Sequence, residues 1–157
     1  MQSKLQPKKP ESTPTPYDIA VRLLVRREHS RAELQRKLAQ RGCDAAEVDD
    51  ALGTLERERL LSDDRFAEQF VRSRVERGAG PAKIRADLRQ RGVADSIVAD
   101  ALEEYAADWR QRAQEVRRKR FGDALPDEYR ERARQARFLQ ARGFTAEQIR
   151  QCLGLSA

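Results

Sequence analysis

Residues with special chemistry are scarce in this sequence. Its 157 residues include two cysteines and one histidine, and aromatic residues make up 6% of the chain. Two cysteines are too few for a disulfide framework, and His29 has no second ligand at helical spacing, so we expect no metal and no redox site. His29 itself is predicted to lie at a helix end or on the surface.

Membrane-spanning and targeting segments are also lacking. Arg22 interrupts the apolar run that begins at Ile19 after three residues, which leaves it too short to cross a bilayer. The N-terminus has no apolar stretch of the kind found in secretory signals, and its Pro, Ser, Thr and Lys content predicts a disordered tail over residues 1–16. We therefore expect a cytoplasmic protein without membrane contact.

Motifs that support catalysis are missing too. There is no HExxH sequence, no cysteine–histidine pairing and no glycine-rich loop after a strand. The GAGP segment at 78–81 lies between predicted helices, where it is interpreted as a turn and a helix start. We expect no catalytic residues and no cofactor, and hence not an enzyme.

Charged residues and helix formers are what the chain has in quantity. Charged residues make up 37% of it, with Ala, Leu, Arg, Glu and Gln abundant, and no alternating run indicates a strand. An all-α protein follows. The net charge of +6, carried mostly by arginine, fits either a polyanionic partner or a solvated, ion-paired helical surface.

One pattern occurs three times: LAQRGCDAAEVDDAL at 38–52, LRQRGVADSIVADAL at 88–102 and LQARGFTAEQIRQCL at 139–153. The three copies align on Gly42, Gly92 and Gly143. In each copy a leucine lies four residues before the glycine, and an apolar residue follows the glycine directly. A Val or Ile lies six residues after the glycine, and a second leucine lies ten residues after it. This spacing predicts a helix, a turn with a left-handed glycine, and a second helix. Cys43 and Cys152 occupy apolar slots of the pattern.

Helix-start signals support this interpretation. Ser30, Asp44 and Thr145 each begin a capping-box pattern, and Asp95 is a candidate cap in the middle copy. Proline is predicted to open the second helix at Pro81 and, in the third copy, at Pro126.

A further helix is predicted before each pair, at 17–28, about 63–77 and about 107–121. The chain should thus contain three tandem three-helix repeats that form an elongated, curved array. The predicted division is a tail at 1–16 and repeats at 17–62, 63–107 and 108–157.

The sign of the charge differs between helices. The helix after each glycine turn is acidic in the first two copies, so a helix–turn–helix insertion into DNA is a poor interpretation. Cations concentrate on the first two helices of each repeat, which favours a polyanionic partner on that side. The predicted binding residues are Arg22, Arg26, Arg27, Arg65, Arg72, Arg74, Arg77, Lys83, Arg85, Arg117, Arg118, Lys119 and Arg120.

Several arginines have alternative interpretations. The arginines that precede the turn glycines, at 41, 91 and 142, either complement a helix dipole or track a polyanion along the array. Arg74 shares a helix face with Phe66 and Phe70, so it is ion-paired, extended to the helix end, or free for a partner. Arg65 and Arg72 are expected to point to solvent.

The quoted repeats resemble a known family. LLVRREHSRAELQRKLAQRG at 23–42, DDRFAEQFVRSRVERGAGPAKIRADLRQRGV at 63–93, and KRFG with RFLQARGFTAEQI near the C-terminus are similar to the three modules of the RecX family of bacterial RecA regulators. The resemblance implies an all-helical, non-enzymatic protein, expected to be a monomer. It would lie in the groove of the RecA–single-stranded-DNA filament and inhibit its ATPase, coprotease and strand-exchange activities in the SOS response and in recombinational repair.

The resemblance also implies a set of motif positions that are mostly architectural, together with the three turn glycines: Asp64, Arg65, Phe66, Ala67, Gly80, Pro81, Lys83, Ile84 and Arg85. In the third repeat, Gln135 departs from the pattern because it occupies the slot of Ile84. Implied partners are the RecA filament and single-stranded DNA, with double-stranded DNA a further candidate. The alternatives are a nucleic-acid-binding protein that acts without RecA and a helical scaffold for an acidic protein.

Overall fold

The computed structural model describes residues 12–155, so most of the predicted tail, residues 1–11, lies outside it. Within that range the chain forms helices and no strand, which confirms the all-α prediction. The helices are α1 (Pro16–Arg26), α2 (Arg31–Gln40), α3 (Ala45–Arg57), α4 (Asp63–Glu76), α5 (Pro81–Gln90), α6 (Asp95–Glu103), α7 (Trp109–Phe121), α8 (Tyr129–Arg142) and α9 (Ala146–Cys152).

Most helix starts follow the local sequence. Ser30 and Thr145 form complete capping boxes, and Asp44 accepts hydrogen bonds from the backbone of Ala46 and Glu47. Thr15, which was not predicted as a cap, forms a third capping box at the start of α1. Each bond satisfies an N–H group that has no partner within its helix.

Two predicted starts are wrong. Asp95 does not cap α6: the capping slot holds Ala94, and the Asp95 carboxylate accepts a hydrogen bond from Arg89 Nε at 2.7 Å. Nor does α8 begin at Pro126. The carbonyls of Pro126 and Asp127 accept hydrogen bonds from the Arg132 guanidinium, so the chain curls around Arg132 and the helix begins at Tyr129.

The three glycine turns share one hydrogen-bond pattern. Gly42, Gly92 and Gly143 have φ of +80°, +76° and +98°, in the left-handed region that the pattern predicts. In each turn the glycine N–H bonds to the carbonyl three residues back, and the next N–H bonds to the carbonyl five residues back. These are the two bonds of a Schellman motif, and they end the helix with its last carbonyls satisfied.

The core is divided along the chain. Helices α1, α2 and α3 pack together around Leu34, Leu38, Leu52 and Leu55, all fully buried. The other two repeats, α4–α6 and α7–α9, share one apolar cluster that contains Ile84, Leu88 and Leu139 among others. A repeat of this size buries little apolar area alone, so shared cores and junctions between repeats stabilise the array.

Successive repeats meet where the second helix of one begins and the second helix of the next ends. Ser30 Oγ donates to the carbonyl of Arg91 at 2.7 Å, and Gly80 N–H donates to the carbonyl of Arg142 at the same distance. Ala82 N–H adds a bond to the Gly143 carbonyl at 2.9 Å. The arginine–glycine turns of repeats 2 and 3 therefore bind the start of the second helix of the preceding repeat, α2 and α5 respectively.

The junctions are tight at the glycines. A Cβ atom on Gly92 would lie 2.4 Å from the Cβ of Ala32, and one on Gly143 would lie 2.3 Å from the Cβ of Lys83. A Cβ on Gly80 would lie 2.4 Å from the backbone of Gly143. Gly42, which no earlier repeat contacts, has nothing within 4 Å of that position.

Candidate partner-binding clefts

Two clefts open beside these junctions. The first cleft, about 400 Å³, lies between repeats 1 and 2 and is lined by Arg27, Glu28, Glu33, Phe66, Gln69, Phe70, Arg74 and Arg91. The second cleft, about 640 Å³, lies between repeats 2 and 3 and is lined by Val75, Glu76, Arg77, Gly78, Ala79, Arg112, Glu115, Val116, Lys119, Arg120, Phe138, Arg142 and Phe144. In both, the arginine before a turn glycine forms part of the wall.

The first cleft neutralises part of its own charge. The Glu33 carboxylate forms ion pairs with Arg27 at 3.1 Å and with Arg91 at 3.4 Å, so it bridges two guanidiniums. The Phe70 ring lies close to the guanidiniums of both Arg74 and Arg91, 4.7 and 4.8 Å from its centroid. Arg74 has no ion pair within residues 12–155, so the ion-pair interpretation, the first of the three for this residue, is wrong.

The second cleft retains an excess of positive charge. Five cations and two carboxylates line it, whereas three cations and two carboxylates line the first. Four of its cations form no ion pair with any residue in the described range: Arg77, Lys119, Arg120 and Arg142. Unpaired cations around a concave surface concentrate positive potential there and attract anions.

Aromatic rings support the cations of the second cleft. Phe121 and Phe138 meet edge to face at 5.2 Å between centroids. Arg142 lies 5.2 Å and Arg120 6.0 Å from the Phe138 centroid, and Arg134 lies 5.4 Å from that of Phe121. Cation–π contacts of this kind orient guanidiniums without neutralising their charge.

The predicted binding residues do not form one face. Arg77, Lys119 and Arg120 line the second cleft, and Arg27 and Arg74 line the first. Arg22, Arg26, Lys83 and Arg118 are exposed but line neither cleft. Arg85 is exposed on another side, in a depression that includes Trp109 and Gln148.

Arg72 points to solvent as expected, but Arg65 does not. Arg65 is half-buried: it forms an ion pair with Glu28 of repeat 1 and donates to the carbonyls of Arg59 and Leu60. Arg65 therefore holds repeats 1 and 2 together, and its pKa is raised chiefly by the Glu28 hydrogen bond. Arg72 is exposed, but its depression also contains four carboxylates: Asp64, Glu68, Asp100 and Glu104.

Arg117 is not on the surface at all. It is 2% exposed, and its guanidinium donates to Gln135 Oε1 at 3.3 Å and to the carbonyls of Asp123 and Ala124. Gln135, the departure from the family pattern, is 3% exposed and accepts this bond in the slot where repeat 2 has Ile84. The prediction that Arg117 binds a partner is wrong, because a buried guanidinium needs these acceptors within the protein.

His29 is buried rather than exposed, at the end of the chain segment that links α1 to α2. Nδ1 lies 3.0 Å from the Arg27 carbonyl and Nε2 lies 3.0 Å from Lys37 Nζ. A carbonyl only accepts and an ammonium only donates, so the ring is neutral with its proton on Nδ1. Burial is the main cause that lowers the pKa of His29 below 6.5.

The family-motif residues have structural surroundings. Phe66, Pro81 and Ile84 are buried, Gly80 fills the junction described above, and Asp64 is exposed at the start of α4. Neighbouring Asp63 accepts the backbone N–H of Arg31 at 2.8 Å and so joins repeats 1 and 2. Desolvation is the main cause that raises the pKa of Asp63.

The cleft residues outside the predicted binding set include Arg112, Phe138 and Arg142. The repeated arginine–glycine pair was a signal for Arg142, but the same local sequence also occurs at Arg41, which lines neither cleft. Across residues 12–155, there is no cluster of three or more metal-ligating side chains, and no helix is long and apolar enough to cross a membrane.

Comparison with known proteins identifies the family. Residues 17–55, 62–102 and 108–153 match, in that order, the first, second and third three-helix domains of RecX. The chain belongs to the RecX family. Its relatives include the regulatory protein RecX of Halorhodospira halophila, 56% identical over 133 residues that cover 85% of this chain and 83% of that protein. Another is the regulatory protein RecX of Chromohalobacter salexigens, 50% identical over 139 residues that cover 88% of this chain and 91% of that protein.

Solved structures confirm the fold. The crystal structure of RecX from Lactobacillus salivarius superposes with a TM-score of 0.76 and covers 90% of this chain and 96% of that one, at 23% identity. A second crystal structure, of a regulatory protein RecX, gives a TM-score of 0.75 over 90% of this chain and 70% of that one, at 21% identity. The protein is thus a RecX-family regulatory protein built of three tandem three-helix repeats.

Proposed function

We propose that this protein binds the RecA–single-stranded-DNA filament and inhibits its ATPase, recombinase and coprotease activities without catalysis of its own. Family membership supports a regulatory role. We assign the binding surface to the second cleft, because unpaired cations line it and anionic groups of the filament can enter it. Such a role places the protein in the cytoplasm, where it acts in DNA repair and the SOS response.

The internal comparison of the clefts favours the second as the binding site. Guanidinium groups that already hold a carboxylate have little to gain from an anionic partner, and two of the three in the first cleft, Arg27 and Arg91, already hold Glu33. In the second cleft, Arg77, Arg120 and Arg142 lose hydration but no ion pair when a partner binds, so binding there is more favourable.

The test is a titration of this protein into RecA that hydrolyses ATP on poly(dT). Hydrolysis by RecA should fall as the ratio of this protein to RecA rises, and purified protein without RecA should hydrolyse neither ATP nor DNA. Filament binding should weaken as the salt concentration rises, because salt screens ionic contacts and opposes the counterion release that accompanies binding. Hydrolysis by the protein alone would contradict the proposal.

The alternative function is nucleic-acid binding without RecA, because the same unpaired cations can also bind the phosphates of a nucleic acid. Binding to bare poly(dT) and to RecA–poly(dT) filaments should be compared at matched salt. Equal affinity for both, with no effect on RecA's ATPase, would favour the alternative.

A further inference from the structure

We propose that the second cleft recognises a carboxylate side chain on the protein component of its partner. This inference rests on the function proposed above and names the chemistry of the group that the site receives. The ligand is a Glu or Asp side chain of an acidic segment, held between the guanidiniums of Arg142 and Arg120 or Arg77.

The first cleft shows how such a group is held. There Glu33 accepts a hydrogen bond from Arg27 and forms an ion pair with Arg91, with its side chain 12% exposed. Carboxylate oxygens match the fork of guanidinium N–H groups, and charge-assisted bonds of this kind are shorter and stronger than neutral ones. Arg142 occupies the position of Arg91 relative to the turn glycine, and Arg142 has no carboxylate partner in the described part of the chain.

The sequence explains why no carboxylate in the second cleft bridges two arginines as Glu33 does in the first. Glu33 is the third residue of α2, and the third residue of α5 is Lys83. The registers of the two junctions differ by one residue, since Ala32 approaches Gly92 whereas Lys83 approaches Gly143. The first turn of α5 therefore supplies no carboxylate to match Glu33, and Arg142 is left for an anion from outside.

Two observations favour a carboxylate over a nucleic-acid strand. Proteins that hold single strands stack bases on exposed aromatic faces, but Phe138 already contacts Arg142, Arg120 and the Phe121 ring. Glu76 and Glu115 also line the cleft and repel a run of phosphates. One carboxylate between the guanidiniums needs no free aromatic face, and its single charge meets less repulsion from Glu76 and Glu115 than a run of phosphates does.

The experiment compares Arg142→Gln with Arg41→Gln. Both arginines precede a turn glycine and both changes remove one charge, but Arg41 lines neither cleft. Affinity is measured for RecA–poly(dT) filaments and for bare poly(dT), with circular dichroism to confirm folding. Arg142→Gln should weaken filament binding at least about tenfold. Its binding to bare poly(dT) should remain within about twofold of that of Arg41→Gln.

Each other result overturns the inference. Equal losses on filament and bare poly(dT) would assign the cleft to phosphates, and filament binding like that of Arg41→Gln would show that the cleft is not used. Arg142→Gln also removes a hydrogen bond to the Arg77 carbonyl, so Arg120→Gln provides a second variant if folding suffers. The function itself fails differently: the parent protein would then not bind or inhibit the filament.

Discussion

Three glycines allow backbone conformation and junction packing to be separated. Gly42 combines φ of +80° with open space, Gly80 combines φ of −91° with a close junction, and Gly92 combines φ of +76° with the Ala32 contact. Substitution at the first tests the left-handed conformation alone. Substitution at the second tests packing alone, and at the third both together.

The expected costs follow from these surroundings. Gly42→Ala should lower the free energy of unfolding by about 1 kcal/mol, the cost of a left-handed residue with a Cβ. Gly80→Ser keeps a good helix cap but adds a Cβ 2.4 Å from Gly143 backbone atoms, so about 1–3 kcal/mol of overpacking is expected. Gly92→Ala carries both costs, in total about 2–4 kcal/mol.

Urea unfolding followed by two signals provides the assay. Circular dichroism reports all the helices, whereas the fluorescence of Trp109, the single tryptophan, reports the shared core of repeats 2 and 3. Gly92→Ala loosens repeat 1 from the others, so its dichroism transition should begin at lower urea than its fluorescence transition. Gly42→Ala should shift both signals together. Equal costs at Gly42 and Gly92, with coincident transitions in both variants, would refute the junction mechanism.

Two further predictions concern buried polar groups. Because the pKa of His29 is lowered in the folded protein, His29 binds a proton more readily in the unfolded chain, and the free energy of unfolding should fall from pH 7 to pH 5. Urea unfolding of His29→Gln should show a smaller fall over the same range. The same pH dependence in the variant and the parent would contradict this account. Arg117→Leu should cost about 2–4 kcal/mol, because Gln135 and two carbonyls lose their donor, and Arg117→Leu with Gln135→Ile should regain part of it. Thermal unfolding checks both variants, and a neutral Arg117→Leu would show that this guanidinium is not structural.

Local signals explain what the sequence could predict about the fold. Turn glycines and the spacing of Leu38 and Leu52 act within one or two helical turns, and the structure reproduces them in all three repeats. The predicted side-chain caps form at Ser30, Asp44 and Thr145 but not at Asp95. The start of α8 is an exception, because Arg132 draws the carbonyls of Pro126 and Asp127 away from a helical path.

The candidate site depends on contacts between repeats, which local sequence does not encode. Gly42 and Gly92 each follow an arginine, yet the turn at Gly42 is open whereas the turn at Gly92 contacts the preceding repeat. Trp109, Ala113 and Arg117 are spaced by four residues and all three are buried, so an arginine occupies a position where helical spacing predicts an apolar residue. The partner of Arg117, Gln135, lies on another helix.

The most direct test of the central claim is charge reversal in the second cleft. Lys119→Glu with Arg120→Glu changes two exposed cations near the end of α7, and Arg41→Glu with Arg57→Glu makes the same change at the ends of α2 and α3, outside both clefts. The measurement is inhibition of RecA's ATPase on poly(dT), with both proteins shown to be folded. The cleft variant should lose inhibition while the control retains it. A folded cleft variant that inhibits as well as the parent, or a control that loses inhibition equally, would contradict the account.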